Sequence, residues 1–492
     1  MTSLVGLLHE RARRDGDRLA IVGESATLSW AELSRGVRVA AARLAAHGVI
    51  RGDRVILAAS SSPAFVCGYF AVHHLGAVAL PVDPRIPAER LGDIAERTSP
   101  RAIFLARAID VGRPTSDVEE LGAAGAPATG EAEAGDPVTR SPEDTADILF
   151  TSGTTGRPKG VVLSHRAIGA AARNINAFLR NGPDDREVVP LPLSHSFGLG
   201  RLRCEVLAGG TIILVDGFTA AGKLFAAMEE WRATGFSFVP AGLAILFQTT
   251  GDRLGDFAET LRWVEVGSAA MPRPHKERLM QLLPRTRLCM HYGLTEASRS
   301  AFIEFHESKA TLDAIGRATP GIEIRVVDEK GTERPAGERG KIVVRGETLM
   351  TGYWEDPELT RATFLGDWLV SGDLGRRDAD GTLYLEGREK DMINVGGREV
   401  SPVEIERILE ELPQVLECAC AGIPDPQGIT GFAVKAFLVA KPGTAPVPPK
   451  ALAKHLRGRV EPYKMPAAFE WIDAIPRTSN GKVQRSRLVA SG

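Results

Sequence analysis

The stretch from Leu149 to Gly160 constrains the fold of this chain more than any other. Its sequence, Leu-Phe-Thr-Ser-Gly-Thr-Thr-Gly-Arg-Pro-Lys-Gly, separates an apolar run at 146–150 from a second apolar run at 161–163. Both runs predict buried strands, and Ser164 is positioned to cap a helix that begins near His165. Glycines permit positive φ and a close backbone approach to a ligand, and successive free N–H groups form a concave site for anions. We therefore predict a loop between two strands that binds the phosphates of a nucleotide.

This loop is not a Walker A motif, in which the lysine directly follows the last glycine. Here Arg157 and Pro158 precede Lys159. A plain polar surface loop is the alternative, which the run of hydroxyl and glycine residues between two apolar strands disfavours. The residues expected to bind the nucleotide phosphates are Thr151, Ser152, Gly153, Thr154, Thr155, Gly156 and Lys159.

Composition narrows the class of protein. A chain of 492 residues should contain two or more domains. Its formal charge of -2 argues against nucleic acid as a partner. The five cysteines are scattered without zinc spacing, and Cys418 and Cys420 are expected on one face of a strand as small core residues. The N-terminal residues do not resemble a signal peptide, and no run is apolar enough to span a membrane. We expect a cytoplasmic protein without membrane contact.

The order of patterns along the chain predicts an α/β fold. Strands and helices alternate up to about residue 290, which indicates parallel sheets covered on both faces. From Ile322, short strands separated by Gly and Asp turns predict a small antiparallel barrel. After Gly387 the pattern becomes that of a compact α+β tail. The predicted domains are a large domain at 1–387 and a small, mobile C-terminal domain at 388–492.

Three local expectations accompany this fold. Residues 1–48 look mostly helical, with a capping box at 29–32. Thr219 is positioned to cap a helix over 220–234. Residues 107–144, rich in Ala, Gly, Pro and acidic side chains, predict in part an exposed, poorly ordered connection.

The segment Thr151–Gly160 resembles the phosphate-loop signature of the adenylate-forming superfamily. This superfamily comprises acyl- and aryl-CoA synthetases, adenylation domains of peptide synthetases, and luciferases. Further similar segments follow in the family's order, at 191–200, 267–272, 292–298, 371–373, 388–391, 394–402 and 476–485. The resemblance covers nearly the whole chain. It implies that a carboxylic acid is activated by ATP and Mg²⁺ as acyl-AMP, then transferred to CoA or to the phosphopantetheine of a carrier protein.

The resemblance also implies which residues bind the nucleotide. Gly267, Ser268 and Ala269 form a turn of small residues against the adenine. Tyr292 packs on the adenine beside Gly293, and Thr295 contacts the α-phosphate. Glu296 holds Mg²⁺, a role that suits a carboxylate. Asp373 binds the ribose hydroxyls, for which a plain turn aspartate is the alternative. Arg388 reaches the ribose or a phosphate.

Other roles belong to the reaction itself. Lys482 resembles the family's catalytic lysine of the adenylation step. Lys390 is at the hinge position about which the small domain rotates between two half-reactions. Gly396 and Gly397 resemble the loop that lines the thiol tunnel. His195 is expected to help place the acid, although a histidine that merely caps the next helix is the alternative.

The acid itself is less constrained. Leu294 stands where amino-acid-activating domains more often have proline, and segment 191–200 has no aspartate for an amino group, so an acid without an α-amine is favoured. An apolar pocket suits an aryl or medium-chain acyl acid. Its expected residues are His195, Phe197, Phe238, Val239, Pro240, Ala241, Gly267 and Tyr292. Alternatives are a carrier-protein ligase and, from a different class, a non-catalytic nucleotide-binding paralogue.

Overall fold

The computed structural model describes residues 3–107, 110, 112–121, 132–151, 158–426, 431–478 and 481–490. Ser152, Gly153, Thr154, Thr155 and Gly156 of the predicted phosphate loop therefore lie outside the described residues.

Helices and strands are numbered along the chain. The helices are α1 (Leu4–Arg14), α2 (Trp30–Ala46), α3 (Pro63–His74), α4 (Ala88–Thr98), α5 (His165–Leu179), α6 (Ser196–Ala208), α7 (Ala221–Glu230), α8 (Pro240–Thr250), α9 (Arg273–Leu282), α10 (Pro357–Thr363), α11 (Pro402–Glu410), α12 (Pro449–Leu456) and α13 (Arg485–Ala490). The strands up to residue 300 are β1 (Leu19–Val22), β2 (Thr27–Ser29), β3 (Arg54–Ala58), β4 (Val78–Val82), β5 (Ala102–Leu105), β6 (Ser116–Asp117), β7 (Thr145–Thr151), β8 (Lys159–Ser164), β9 (Arg186–Val189), β10 (Thr211–Leu214), β11 (Gly235–Phe238), β12 (Trp263–Val266) and β13 (Arg287–Tyr292). The remaining strands are β14 (Ala301–Glu304), β15 (Arg317–Ala318), β16 (Ile322–Val327), β17 (Gly340–Gly346), β18 (Gly352–Tyr353), β19 (Phe364–Leu365), β20 (Trp368–Arg377), β21 (Leu383–Arg388), β22 (Ile393–Val395), β23 (Arg398–Val400), β24 (Val415–Pro424), β25 (Phe432–Ala440) and β26 (Ala468–Trp471).

Two large sheets form the body of the chain. One has seven strands in the order β18-β8-β7-β4-β3-β5-β6, and its central pairs are parallel. The other has nine strands in the order β15-β14-β13-β12-β11-β9-β10-β1-β2. All five residues of β4 and all four of β11 and β12 are buried, because helices cover both faces of these strands. This confirms the predicted parallel α/β architecture.

The hairpin around the predicted phosphate loop forms as expected. β7 and β8 are antiparallel, and Thr151 pairs with Lys159 at the end of the hairpin that carries the loop. The Oγ of Ser164 accepts a hydrogen bond of 3.2 Å from the N–H of Ala167 at the start of α5. The last residue of β7 and the first residue of β8 thus face each other on either side of the predicted phosphate loop.

The antiparallel region and the tail also form as predicted. β16, β17, β19, β20 and β21 make a five-stranded antiparallel sheet. In the tail, β24, β25 and β26 form a second small sheet. Cys418 and Cys420 are buried in the same hydrophobic cluster on this sheet, which confirms their predicted common face.

The structure differs in part from three local expectations of the sequence analysis. The capping box is present: Ser29 N–H donates to Glu32 Oε2 at 2.8 Å, but residues 1–48 also contain β1 and β2. Thr219 does not cap a helix, because α7 begins after Ala220 without a side-chain cap. Within 107–144, Val118 and Leu121 are buried in a short helical turn that packs in the main core, so this part is not an exposed connection.

No helix among the described residues has the length and apolar character needed to cross a lipid bilayer.

Candidate functional site

Neighbouring strand ends bring most of the predicted site together. β11, β12 and β13 are parallel, and Phe238, Val266 and Met290 are aligned across them. The residues that follow these strands therefore meet at one edge of the nine-stranded sheet, the edge at which ligands bind in open α/β sheets. The segments brought together there are 239–241, 267–269 and 292–296.

Asp373 is held at this site by two partners. Its Oδ2 accepts a hydrogen bond of 2.7 Å from the hydroxyl of Tyr292, and its Oδ1 lies 3.2 Å from Nε of Arg388. Arg388 faces Asp373 across the β20–β21 ladder. Burial raises the pKa of Asp373, while the charge of Arg388 and the Tyr292 hydrogen bond oppose that shift. Oδ1 makes no geometrically acceptable hydrogen bond within the described part of the chain, so a buried acceptor is left for a ligand.

Glu296 and Lys159 are linked through Tyr353, a residue the sequence analysis missed. The Tyr353 hydroxyl donates to Glu296 Oε1 at 2.9 Å, and the Nζ of Lys159 lies 5.4 Å from the centre of the Tyr353 ring. Tyr353 reaches this position because β18 pairs with β8, the strand that follows the phosphate loop. Its segment matches no motif, so only the strand pairing reveals the contact.

Lys482 follows Gly481, at the point where the tail meets the start of α8. A Cβ on Gly481 would lie 3.4 Å from the Cβ of Ala241. Desolvation and then the charge of Arg388 lower the pKa of Lys482, whereas Glu296 and Asp373 raise it. The charged groups that act on this ammonium therefore include both carboxylates of the predicted nucleotide site.

His195 precedes α6, but its side chain makes no capping hydrogen bond, which removes the alternative role considered for it. Its Nε2 lies 4.0 Å from Oδ2 of Asp83. Burial lowers the pKa of His195; Asp83 opposes this shift, and the charges of Arg85 and Lys482 add to it. Burial thus favours the neutral form of this imidazole.

The predicted acid pocket is only partly assembled from the expected side chains. Phe197 and Gly267 meet through the ring of His291, which contacts both. Val239, Pro240 and Ala241 begin α8 and border Gly481 of the tail. Phe238, by contrast, is fully buried in a cluster on the opposite face of the sheet, with Phe236 and Leu243. Its side chain therefore packs in the core.

The turn after β12 is tightly built. A Cβ on Gly267 would lie 1.9 Å from Cε1 of His291, so only glycine fits there. Ser268 has a φ of 72°, in the left-handed region that non-glycine residues seldom occupy. Ala269, Gly293 and Thr295 are half-buried beside this turn. The strained backbone keeps the turn close to the end of β13.

The residues predicted for the hinge and the thiol tunnel lie after β21 and on the β22–β23 hairpin. Lys390 is exposed; desolvation and the charges of Arg388 and Lys159 lower its pKa. Gly396 and Gly397 have φ values of 59° and 82° in the turn between β22 and β23. This hairpin is tied to the antiparallel sheet by Glu399, whose Oε2 lies 3.3 Å from Nη2 of Arg339.

The sequence analysis also missed a buried charged cluster below the pocket. Arg201 Nε contacts both oxygens of Glu187 at 2.8 and 2.9 Å, and its Nη1 lies 3.2 Å from Glu265. Arg299 and His291 also contact Glu265, at 3.4 and 2.7 Å. These residues are scattered between 187 and 299 without motif spacing, so no sequence signal identifies them.

Comparison with known proteins agrees with this geometry. Residues 8–354 match the family model described as AMP-binding enzyme, and residues 404–482 match the model of the AMP-binding enzyme C-terminal domain. The chain belongs to the AMP-binding enzyme family. The predicted membership of the adenylate-forming superfamily, close to the acyl- and aryl-CoA ligases, is thereby confirmed.

Named members of the AMP-binding enzyme family extend the comparison. An indoleacetate–CoA ligase of Aromatoleum aromaticum is 32% identical, covering 93% of this chain and 92% of the relative. A fatty acid–[acyl-carrier-protein] ligase of Streptomyces coeruleorubidus is 31% identical, covering 99% of this chain and 96% of the relative. The relatives support the predicted class of AMP-forming acid–thiol ligase.

Solved structures of this AMP-binding fold superpose over the whole chain. ATP-bound MatB from Rhodopseudomonas palustris has a TM-score of 0.90 and 29% identity, covering 100% of this chain and 98% of that one. The apo form of MatB gives a TM-score of 0.82 with the same coverage. The chain therefore superposes better on the ATP-bound form.

Proposed function

We propose that this chain activates a carboxylic acid with ATP to form acyl-AMP and then transfers the acyl group to CoA. One observation carries the proposal: Tyr292 and Arg388 hold the buried carboxylate of Asp373 at the strand ends with its Oδ1 left as an acceptor, and Tyr353 orients the nearby carboxylate of Glu296. Nucleotide activation needs three groups. They are a buried acceptor for a sugar hydroxyl, a carboxylate and a mobile cation. The family match and the named relatives support the same reaction.

In the first half-reaction, a carboxylate oxygen of the acid attacks the α-phosphorus of ATP. The new P–O bond gives acyl-AMP, and the bond to the β-phosphate breaks to release pyrophosphate. We assign the ribose hydroxyls to Asp373 and Arg388 and the adenine to Tyr292 and the 267–269 turn. Lys482 would neutralise the charge that develops on the transferring phosphoryl group, and Thr295 would donate to it.

The phosphate loop would bind the phosphates that leave. Thr151 and Lys159 are the paired residues at its two ends, and Lys159 extends toward the Tyr353 ring. His195 and Phe197 would orient the carboxylate of the acid. Holding both reactants in one geometry contributes a large part of the rate in such a reaction.

Glu296 is suited to a Mg²⁺ ion. Magnesium binds in many enzymes through one or two carboxylates plus substrate phosphates, and Glu296 is half-buried with Oε1 oriented by Tyr353. The described residues contain no group of three or more His, Cys, Asp or Glu side chains that could hold a metal ion. Bound there, the ion would withdraw charge from the phosphates.

The second half-reaction requires a rearrangement of the tail. We propose that residues 388–492 form a domain that rotates about Lys390, withdrawing Lys482 and bringing Gly396 and Gly397 to the site. A thiol then attacks the acyl carbon, a thioester forms, and AMP leaves. The better superposition on ATP-bound MatB supports the present orientation as the one used for adenylation.

The thiol acceptor and the carboxylic acid are proposed as chemical classes. CoA is the favoured thiol, and the carrier-protein ligase among the relatives makes a phosphopantetheine arm the second candidate. The acid is proposed to be aryl or medium-chain acyl, because the pocket candidates are mainly apolar. We propose no membrane or nucleic-acid partner and a cytoplasmic site of action, where ATP and CoA are available.

The deciding experiment is carboxylate-dependent exchange of labelled pyrophosphate into ATP across aryl, fatty and amino acids. Exchange with one group of acids establishes adenylation and identifies the acid class. CoA and a carrier protein are then compared as acceptors of the acyl group. If no acid supports exchange although ATP binds, the non-catalytic alternative is favoured.

A further inference from the structure

Helix α4 packs against the hairpin that carries the predicted phosphate loop. Its residues Leu91, Ile94 and Ala95 are buried on one face of the seven-stranded sheet, in a hydrophobic cluster that includes Ile148 of β7. Apolar residues spaced three and four apart give a helix one buried face. Arg97 follows Ile94 by three residues, so its side chain leaves the helix close to that face. The last turn of α4 therefore presents a cation to the hairpin.

The side chain of Arg97 reaches the residue that precedes Lys159. Its Nη1 donates a hydrogen bond of 2.7 Å to the carbonyl oxygen of Pro158. The same nitrogen lies 3.3 Å from Oδ2 of Asp93, one helical turn earlier. The Cζ of the guanidinium lies 5.5 Å from the centre of the Phe150 ring, at the end of β7. Three neighbours thus hold this arginine, although a fifth of its side chain is accessible.

Trp354 joins α4 to the strand that follows the phosphate loop. Its indole Nε1 donates to the carbonyl oxygen of Arg97 at 3.1 Å, and its backbone N–H donates to the carbonyl of Gly160 at 2.7 Å. Trp354 directly follows β18, which pairs with β8. The backbone of Arg97 is therefore fixed relative to the same strand end that its side chain contacts.

The contact of Arg97 fixes the peptide unit between Pro158 and Lys159. Proline has no N–H and a restricted φ, so the carbonyl is the only polar backbone group that Pro158 offers. The peptide is trans, and in a planar trans peptide the C=O and the N–H point in opposite directions. A hydrogen bond to the Pro158 carbonyl therefore also sets the direction of the Lys159 N–H and the point from which its side chain departs.

We propose that Arg97 is a positioning residue for the nucleotide phosphates. It holds the peptide between Pro158 and Lys159 so that Lys159 meets the β- and γ-phosphates of ATP, and the same groups in pyrophosphate. Arg97 does not contact the phosphates, because its Nη1 is directed to Pro158 and Asp93. Ordering a flexible lysine on binding costs free energy, and a fixed backbone lowers that cost. This inference rests on the proposed function, since it assigns a further residue to the same site.

The two half-reactions distinguish this role from a purely structural one. Arg97→Met keeps the length of the side chain and its apolar stem but removes its charge and its donors. In pyrophosphate exchange, KM for ATP and KM for pyrophosphate should rise by about threefold to tenfold, with a smaller change in kcat. Thioester formation from a supplied acyl-adenylate should be unchanged, because the β- and γ-phosphates take no part in it. A lower fraction of folded enzyme would instead reduce both reactions equally.

Calorimetric titrations with ATP and with AMP test the route through Lys159. Arg97→Met should weaken the binding of ATP by the same factor and leave that of AMP unchanged. When it is combined with Lys159→Ala, it should add little to the loss that Lys159→Ala alone causes, because the two residues act as a unit.

Three further variants complete the comparison. Arg97→Lys retains a cation with N–H donors and should recover part of the ATP affinity. Arg101→Ala is the matched control, since its Nε donates at 2.9 Å to the carbonyl of Gly48, outside the proposed site, and its ATP affinity should equal that of the native enzyme. Arg97→Gln replaces Arg97→Met in every measurement if the methionine variant does not fold.

The outcomes separate this inference from the proposed function. Unchanged ATP affinity in Arg97→Met, an equal loss of ATP and AMP affinity, or fully additive losses with Lys159→Ala each overturn the role of Arg97 and leave the proposed function standing. Absence of exchange with every acid in the native enzyme overturns the proposed function. The ATP and AMP titrations then still decide whether Arg97 positions Lys159.

Discussion

The Tyr292 hydroxyl donates to Asp373 Oδ2 at 2.7 Å and so joins two segments that are 81 residues apart in sequence. Tyr292 ends strand β13 of the nine-stranded sheet, whereas Asp373 belongs to the antiparallel sheet. The bond therefore couples the proposed adenine site to the proposed ribose site. It also satisfies one oxygen of a carboxylate that is almost entirely buried.

Tyr292→Phe is expected to destabilise the fold and weaken ATP binding together. Asp373 loses its hydroxyl donor while remaining buried, which costs about 1–3 kcal/mol. Denaturant unfolding and calorimetric titration with ATP measure the two effects. Asp373→Ala should weaken ATP binding by about tenfold or more. Tyr463→Phe on the tail is the control. If ATP affinity is unchanged in both Tyr292→Phe and Asp373→Ala, these two residues do not bind the nucleotide.

Lys482→Ala should lower the rate of adenylation by about a hundredfold or more, because one preorganised charge that stabilises the transition state is removed. Pyrophosphate exchange measures this step. Transfer to CoA from a supplied acyl-adenylate should remain, because the tail is proposed to withdraw Lys482 in that step. Lys450→Ala, an exposed lysine of the tail, is the control. Equal loss in both half-reactions would contradict the rotation.

The activity of the native enzyme should also fall on the alkaline side. The pKa of Lys482 is lowered, so its ammonium loses a proton at a lower pH than an ordinary lysine, for which the value is about 10.4. The pH profile of pyrophosphate exchange should decline below that value, while thioester formation from supplied acyl-adenylate should not share this limb. If the two steps lose activity at the same alkaline pH, deprotonation of Lys482 does not explain the decline in the adenylation step.

Arg339→Ala should favour the orientation used for thioester formation. Arg339 contacts Glu399 at 3.3 Å and Glu386 at 3.7 Å, so it ties the β22–β23 hairpin to the antiparallel sheet. Exposed ion pairs contribute about 0–1 kcal/mol, so thioester formation should rise by about two- to fivefold at low salt. The difference should disappear near 1 M salt. Arg345→Ala, which breaks a pair with Glu323 inside the sheet, should not reproduce the gain.

Acid should destabilise the N-terminal region through His9 and His74. The Nε2 of His9 lies 3.1 Å from Nδ1 of His74, and the Nε2 of His74 donates to the Gly135 carbonyl at 3.0 Å. Burial lowers the pKa of His9 to about 3 and that of His74 to about 4. Arg38 lowers both values further, and Asp136 opposes the shift.

The sign follows from the unfolded chain, where histidine has a pKa of about 6.5. The full stability is present above that value, and it is lost as pH falls toward about 4, because the unfolded chain binds more protons. The expected loss is about 1 kcal/mol per histidine per pH unit, measured by urea unfolding at several pH values. His74→Gln should flatten this slope, and the exposed His47→Gln should not. Equal slopes in all three proteins would exclude the pair as the cause.

Local sequence rules determined the elements of this fold and many candidates for its site. Apolar runs and turn residues predicted the hairpin of β7 and β8, and the Ser29–Glu32 spacing predicted a cap that forms as a capping box. The motif residues at strand ends were identifiable because each motif is contiguous. The parallel order of the strands then explains why those ends meet. The hairpin, the cap and the contiguous motifs each depend on residues that are close to one another in the sequence.

Tertiary structure alone decided the contacts between segments. Tyr353 bridges Glu296 and Lys159 through a pairing of β18 with β8, and the Nδ1 of His291 lies 2.7 Å from Glu265 on the adjacent strand. The packing of Gly481 against Ala241 likewise depends on how the tail lies on the large domain. Such contacts follow from burial and strand register over the whole chain, which periodicity and spacing do not encode. The sequence by itself thus determined the elements and the motif residues, and the packing of the folded chain decided which side chains lie in contact.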